Sequence, residues 1–330
     1  MMPPSYSEYL RLEELLALQE GTDGKPSSDE LHFILVHQNF ELWFKLVISE
    51  LRAARDILDR DYVAEERIPR AVHHLRRVIE TFRLMAQQWK VMETLTPQEF
   101  LNFRDKLGTA SGFQSFQMRE MEMLLGPQLR DGEQRDLPGP AEKRPLVAVV
   151  SDWLARTPIM GSAPDDAGDD TAVTRFIEDY LAAHATLGAE TAEQYGGTPE
   201  IKARFTAEAE GAREFLAPDG GVDRARAGLL FIESYRELPL LAWPRRLVDT
   251  LVELEEQMVL WRSSHARMVE RIIGRRTGTG GSSGVDYLDS TTQWRVFGDL
   301  WAVRTLLIRK NALPQLENAE FYGFAGGENG

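Results

Sequence analysis

Eight positions, Leu247, Leu251, Leu254, Met258, Trp261, His265, Met268 and Ile272, follow one another at intervals of only four and three residues. That spacing keeps all eight on one face of an α-helix for about seven turns, so it predicts a single long amphipathic helix. Seven of the eight are apolar, and the eighth is an imidazole. Gly274 ends the pattern, and Gly278-Thr-Gly-Gly-Ser-Ser-Gly284 reads as a flexible loop. A second stripe has the same form: Phe33, His37, Phe40, Phe44, Val47 and Leu51 again place one histidine on an apolar face. Ser27, with Glu30 three residues on, forms a capping box that should open this helix.

The rest of the chain reads as helices as well. Pro69 opens a helix over 69–92 that carries Val72, Leu75, Ile79, Phe82 and Trp89. Thr96-Pro97-Gln98-Glu99 opens another, through Phe100, Phe103, Arg104 and Leu107, which Gly108 stops; Phe113 to Leu125 resumes the pattern until Gly126-Pro127. Residues 127–145 and 157–172 are rich in Pro, Gly and Asp and read as loops. Helices are expected over about 145–156, 172–187, 198–216, 222–237 and 290–309. Hydrophobic alternation of period two is missing, so the expected fold class is all-α, a helical bundle with no internal repeat. The expected organisation is a single domain over 1–330, with an N-terminal segment 1–26, a helical insertion with loops over 127–245, and a closing region over 246–309.

Composition narrows the chemistry. With 38 basic and 52 acidic side chains the net charge is −14, which argues against nucleic acid or an anionic membrane as partner. The absence of cysteine removes disulfides, thiolate nucleophiles, iron–sulfur clusters, thiolate-ligated haem and thioether haem attachment. Any metal must then be held by His, carboxylate or Tyr. The segment beginning Met1-Met2-Pro3-Pro4 lacks the regions of a signal peptide, and no apolar run reaches the length of a membrane span, so a cytoplasmic protein is expected.

A lone histidine on an apolar stripe is ordinarily a core residue with one satisfied nitrogen. Two such stripes in a chain without cysteine suit a flat macrocycle packed between helices, with one neutral imidazole on its iron. A non-haem iron site would need two His and a carboxylate to converge, and neither stripe shows such a pair. Arg104, between Phe103 and Leu107, is either a solvated surface residue or a two-pronged grip on a carboxylate. The glycine loop is either a plain connector or a lid whose Thr279 closes over a polar ligand; it lacks the strand and the Lys-Ser/Thr ending of a phosphate loop. His73, His74 and His184 have polar neighbours and read as surface residues.

Several strings together carry a resemblance. Phe33-Ile-Leu-Val-His-Gln38, Glu41-Leu-Trp-Phe-Lys45, Trp89-Lys-Val-Met-Glu-Thr-Leu95, Phe103-Arg-Asp-Lys-Leu-Gly108, Ser111-Gly-Phe-Gln-Ser115, His265 with Val269-Glu-Arg-Ile-Ile-Gly274, and Gly278 to Gly284 resemble the haem-dependent tryptophan 2,3-dioxygenase family in order and spacing, from about Tyr6 to Ile308. The resemblance implies a haem b (iron protoporphyrin IX) enzyme with His265 as the iron ligand, Ser111 near the haem edge and Trp89 supporting it. It implies His37 as acceptor for the indole N–H, Arg104 as clamp on the substrate carboxylate, Thr279 as a hydrogen-bond partner of the ammonium or carboxylate, and Phe33 and Phe100 as walls. It further implies a homotetramer in which Tyr6, Tyr9 and Leu10 reach a neighbour's site. The implied reaction is insertion of O₂ at the indole 2,3-bond of L-tryptophan to give N-formylkynurenine, the entry to tryptophan catabolism by the kynurenine route. The alternative is mono- or dioxygenation of a substituted tryptophan in secondary metabolism. Ser263-Ser264, Phe116, Met118, Asp286 and Asp289 depart from the family pattern.

Overall fold

The computed structural model describes residues 3–108, 110, 112–126, 144–276, 284–316 and 318–323. Helices run in the order α1 (Tyr6–Leu10), α2 (Leu12–Leu15), α3 (Ser28–Leu58), α4 (Ile68–Met92), α5 (Pro97–Arg104), α6 (Phe116–Leu125), α7 (Leu146–Ala155), α8 (Asp169–Gln194), α9 (Pro199–Leu216), α10 (Arg224–Ser234), α11 (Ala242–Ile273), α12 (Gly284–Thr291) and α13 (Gly298–Ala302). One isolated bridge, Ile159 with Ser162, is the only extended pairing among the described residues. The fold is all-α. No described helix is long and apolar enough to cross a membrane.

The chain divides into two compact units. The first comprises residues 1–50, 76–142 and 254–294. Its core is built from the predicted stripes: Phe40, Phe44 and Val47 of α3, Ile79, Phe82 and Trp89 of α4, and Leu254, Met258, Trp261, Met268 and Ile272 of α11 are all buried, with Met85 of α4 added to them. Full burial of one such side chain contributes about 1.5–3 kcal/mol. Thr96 and Glu99 make a complete capping box at the start of α5. The box expected at Ser27 forms by half: its hydroxyl accepts from the Glu30 amide at 3.2 Å, while the Glu30 carboxylate is drawn to the Lys106 ammonium. Gly108, at φ +55°, ends the helical run, as expected. So do Gly126 at φ +86° and Gly274 at φ +63°.

The second unit comprises residues 51–75, 143–253 and 295–330. Here α8 packs on α9, and α10 on α7. Gly228 of α10 makes the latter contact possible, because a Cβ there would collide with the Leu154 carbonyl oxygen. Buried tyrosines fasten the loops: Tyr180 donates to Leu306 O at 3.0 Å, and Tyr322 to Pro158 O at 3.0 Å.

Two expectations need correction. The helix expected over 172–187 runs from Asp169 to Gln194, straight through Gly188. A Cβ on Gly188 would lie 3.6 Å from Phe205 Cβ, so interhelical packing offsets the helical cost of glycine, about 1 kcal/mol. The single helix expected over 290–309 is broken instead. Ser290, Thr291 and Thr292 turn their hydroxyls back onto the carbonyls of Tyr287, Leu288 and Asp289, and Arg262 donates to Thr291 O at 3.3 Å. The carbonyls at the end of α12 are thereby satisfied without a further turn. α13 begins only at Gly298.

Candidate functional site

All features of the site that lie among the described residues belong to the first unit. On α3, the His37 ring lies 4.0 Å from the Phe33 ring, centroid to centroid, and its Nδ1–H donates to the Phe33 carbonyl at 2.8 Å. A carbonyl can only accept, so this bond fixes the proton on Nδ1 and leaves the Nε2 lone pair open. The capping box starts α5 so that Phe100 and Phe103 face Phe33, at 5.9 and 5.5 Å, and each other at 5.4 Å. Arg104 is the last residue of α5. It is half-buried, and its guanidinium has no ion pair or hydrogen bond among the described residues.

His265 sits in a second aromatic group. Trp89 of α4 stacks on its ring at 4.4 Å with an interplanar angle of only 2°, and Trp261, one turn earlier on α11, lies at 5.9 Å. Phe40 packs on Trp89 at 4.1 Å, and Phe44 and Phe82 meet Trp261 edge-on at 5.8 and 5.9 Å. The indole N–H groups of Trp89 and Trp261 are buried with no acceptor among the described residues. Such orphaned donors are rare in native interiors.

Both imidazoles are neutral at neutral pH. Burial pushes His265 down to about 3, and a charge on His37 would push it lower. Burial also lowers His37, against the Phe33 carbonyl and the Glu41 carboxylate, which both favour its protonated form. A neutral imidazole is the form that donates a lone pair to a metal or accepts a hydrogen bond. Among the described residues no three His, Asp or Glu side chains converge as a metal site.

The structure thus gathers Phe33, His37 and Phe100 in one group and Trp89 and His265 in another. Ser111 and Thr279 lie outside the described residues. Tyr6, Tyr9 and Leu10 are exposed on α1, the two tyrosines at 76% each, and pack on neither group. His73 is exposed, as expected, whereas His184 is half-buried with an unpartnered Nδ1. Phe103, Trp261 and Phe40 belong to the site walls; their signal in the sequence is the three- and four-residue spacing from Phe100, His265 and His37. Gln117 also went unnoticed: it donates to the carbonyl and carboxylate of Glu41 at 2.8 Å each, and a contact across that much sequence leaves no local pattern.

Chemically, the arrangement offers an aromatic wall with an open nitrogen acceptor, an arginine at the end of the helix that carries Phe100 and Phe103, unpaired among the described residues, and a second neutral imidazole stacked on indole. These groups suit a flat aromatic ligand that carries an N–H at one end and an anion at the other.

Comparison with known proteins points the same way. The family profile described as tryptophan 2,3-dioxygenase matches residues 2–307. A tryptophan 2,3-dioxygenase of Sorangium cellulosum is 42% identical over 97% of this chain and 87% of that protein. Tryptophan 2,3-dioxygenase 2 of Ralstonia nicotianae is 44% identical over 98% of this chain and 99% of its own length. A tryptophan 2,3-dioxygenase-like protein of Xanthomonas campestris is 45% identical over 70% of this chain and 98% of its own. With the profile covering most of its length and such relatives spanning nearly all of it, the chain belongs to the tryptophan 2,3-dioxygenase family.

Proposed function

We infer that this protein is an oxidoreductase that adds both atoms of O₂ across carbons 2 and 3 of the indole of L-tryptophan, opening that bond to give N-formylkynurenine. The observation that carries the reading in this chain is the pair of neutral histidines, each in its own aromatic group, with Arg104 next in sequence to Phe103 of the His37 group and unpaired among the described residues. The cofactor is haem b. The chain fits it: there is no cysteine for covalent attachment, a single neutral imidazole stands on an apolar stripe, and the neighbouring indole N–H groups lack acceptors among the described residues. When bound, ferrous haem would supply the activation of O₂.

The protein's own residues bind and orient. His265 would hold the iron, and Trp89 and Ser111 are the residues that would support the bound cofactor. Arg104 takes the substrate carboxylate through two parallel hydrogen bonds, and Thr279 bonds its ammonium or carboxylate. Phe33 and Phe100 wall the indole and exclude water. His37 accepts the indole N–H at Nε2, the nitrogen left open by the bond to the Phe33 carbonyl. It orients the ring and need not remove the proton for the electron-rich indole to react. The enzyme is a single catalytic domain in a homotetramer, with Tyr6, Tyr9 and Leu10 completing a neighbour's site; the exposure of all three supports this. The location we propose is the cytoplasm.

The test is direct. Haem-loaded, reduced protein is mixed with L-tryptophan under air, the N-formylkynurenine absorbance is followed, and the product is weighed by mass spectrometry. A gain of two oxygen atoms is expected. A gain of one, or turnover confined to a substituted tryptophan, would replace this reading with the biosynthetic alternative.

A further inference from the structure

Lys106 stands two residues beyond Arg104, in the turn Asp105–Leu107 that closes α5. Its ammonium donates to Asp23 Oδ2 and to Glu30 Oε2, each at 2.9 Å. Glu30 lies in the first turn of α3, about one turn before Phe33 and two before His37, and its side chain is only 4% exposed. Gly21, at φ +67°, closes over it: a Cβ there would sit 3.3 Å from Glu30 Oε1. The segment 18–27 is fastened a second time, beside His37. Gln38 donates to Leu18 O at 2.9 Å, and Gln19 donates to Gln38 Oε1 at 2.7 Å.

We propose that Lys106 is a positioning residue for the substrate: its ammonium ties the turn after Arg104 to the start of the helix that carries Phe33 and His37, and roots the segment 18–27 beside both. This rests on the reading above, in which Arg104 and His37 grip opposite ends of one amino acid. Those grips come from different helices, so their separation is a tertiary quantity, and small errors in it weaken binding steeply. α5 has only eight residues and is too short to hold its own end rigid. An exposed ion pair would contribute little to this. Glu30 is different because it is buried: without Lys106 its carboxylate loses its cation in a desolvated place, and the local structure has to move to rehydrate it.

The experiment compares native protein with Lys106→Met, Lys106→Arg and Glu30→Gln, using L-tryptophan and tryptamine, which lacks the carboxylate. Lys106→Met should raise KM for tryptophan about tenfold, the scale of one charge-assisted hydrogen bond. It should leave kcat and the haem spectrum nearly unchanged and barely alter binding of tryptamine, so discrimination between the two ligands falls. Lys106→Arg should recover most of the loss, and Glu30→Gln should shift KM the same way by less. Amide hydrogen exchange should accelerate together in residues 18–27 and 97–108 of Lys106→Met. Unchanged exchange in those two segments, or equal weakening toward both ligands, overturns the proposal. Native protein that makes no N-formylkynurenine overturns the functional reading instead, and the exchange measurement still judges the tie.

Discussion

His37 and His265 are spelled alike in the sequence, one imidazole each on an apolar helical stripe, yet their surroundings differ in kind. His37 has a backbone carbonyl on Nδ1 and a carboxylate, Glu41, within electrostatic reach. Both favour its protonated form, against burial. His265 has aromatic rings around it, an indole lying parallel at 4.4 Å, and burial with a second histidine pushing it down to about 3. The first is a half-buried group held by polar partners; the second is a lone pair among aromatic rings. The difference teaches that identical periodicity can present two environments, a directed hydrogen-bond acceptor and a neutral lone pair among aromatic rings, depending on what the neighbouring helices bring.

The sharpest way to break the comparison is to remove His265. His265→Ala should abolish turnover and lose the haem, or leave haem with a spectrum that added imidazole restores. An unchanged ferrous spectrum would make the two histidines equivalent and end the assignment. Next in size is Arg104→Lys. Replacing a two-pronged contact by a point charge forfeits about 1.5–3 kcal/mol, so KM for tryptophan should rise roughly ten- to a hundredfold while haem content stays normal. Equal use of tryptamine and tryptophan by the native enzyme would contradict this role.

Smaller effects probe His37. His37→Ala should keep fold and haem and cost about 1–2 kcal/mol in catalytic efficiency, and it should discriminate less against 1-methyltryptophan. The ratio of efficiencies for tryptophan and its 1-methyl analogue, measured in both proteins, decides: an identical ratio removes His37 from the substrate site. The last effect is on stability. Because burial holds His37 below its ordinary value in the folded protein, the unfolded chain binds a proton that the folded one refuses. The sign is destabilising on the acid side: stability is full above about pH 6.5 and falls as pH drops below it, by at most about 1.4 kcal/mol per pH unit. Haem-free His37→Leu should unfold with a shallower dependence there than native protein. Parallel curves would mean that His37 is solvated.

Much of the fold could be read from local spacing, and particular residues show why. The stripe from Leu247 to Ile272 became buried in α11 because burial and a 3.6-residue period are the same constraint seen in one and three dimensions. Thr96 with Glu99, and Gly108, Gly126 and Gly274, acted as starts and stops because caps are satisfied within a few residues. Spacing misled where tertiary contacts dominated: Gly188 stayed helical against Phe205, and the hydroxyls of residues 290–292 ended a helix that was expected to begin there.

By itself, then, the sequence determined an all-α chain, the two histidine stripes and the family to which their surrounding strings belong. Only the tertiary structure decided that Trp89 lies flat on His265, that Phe33 and Phe100 share a wall with His37, that Arg104 has no partner among the described residues, and that Lys106 reaches Glu30 across 76 residues. The physical reason is range. Helix periodicity, capping and glycine stops act over a few residues and leave their mark in order, whereas stacking, ion pairing and burial join residues whose distance along the chain carries no signal of their distance in space.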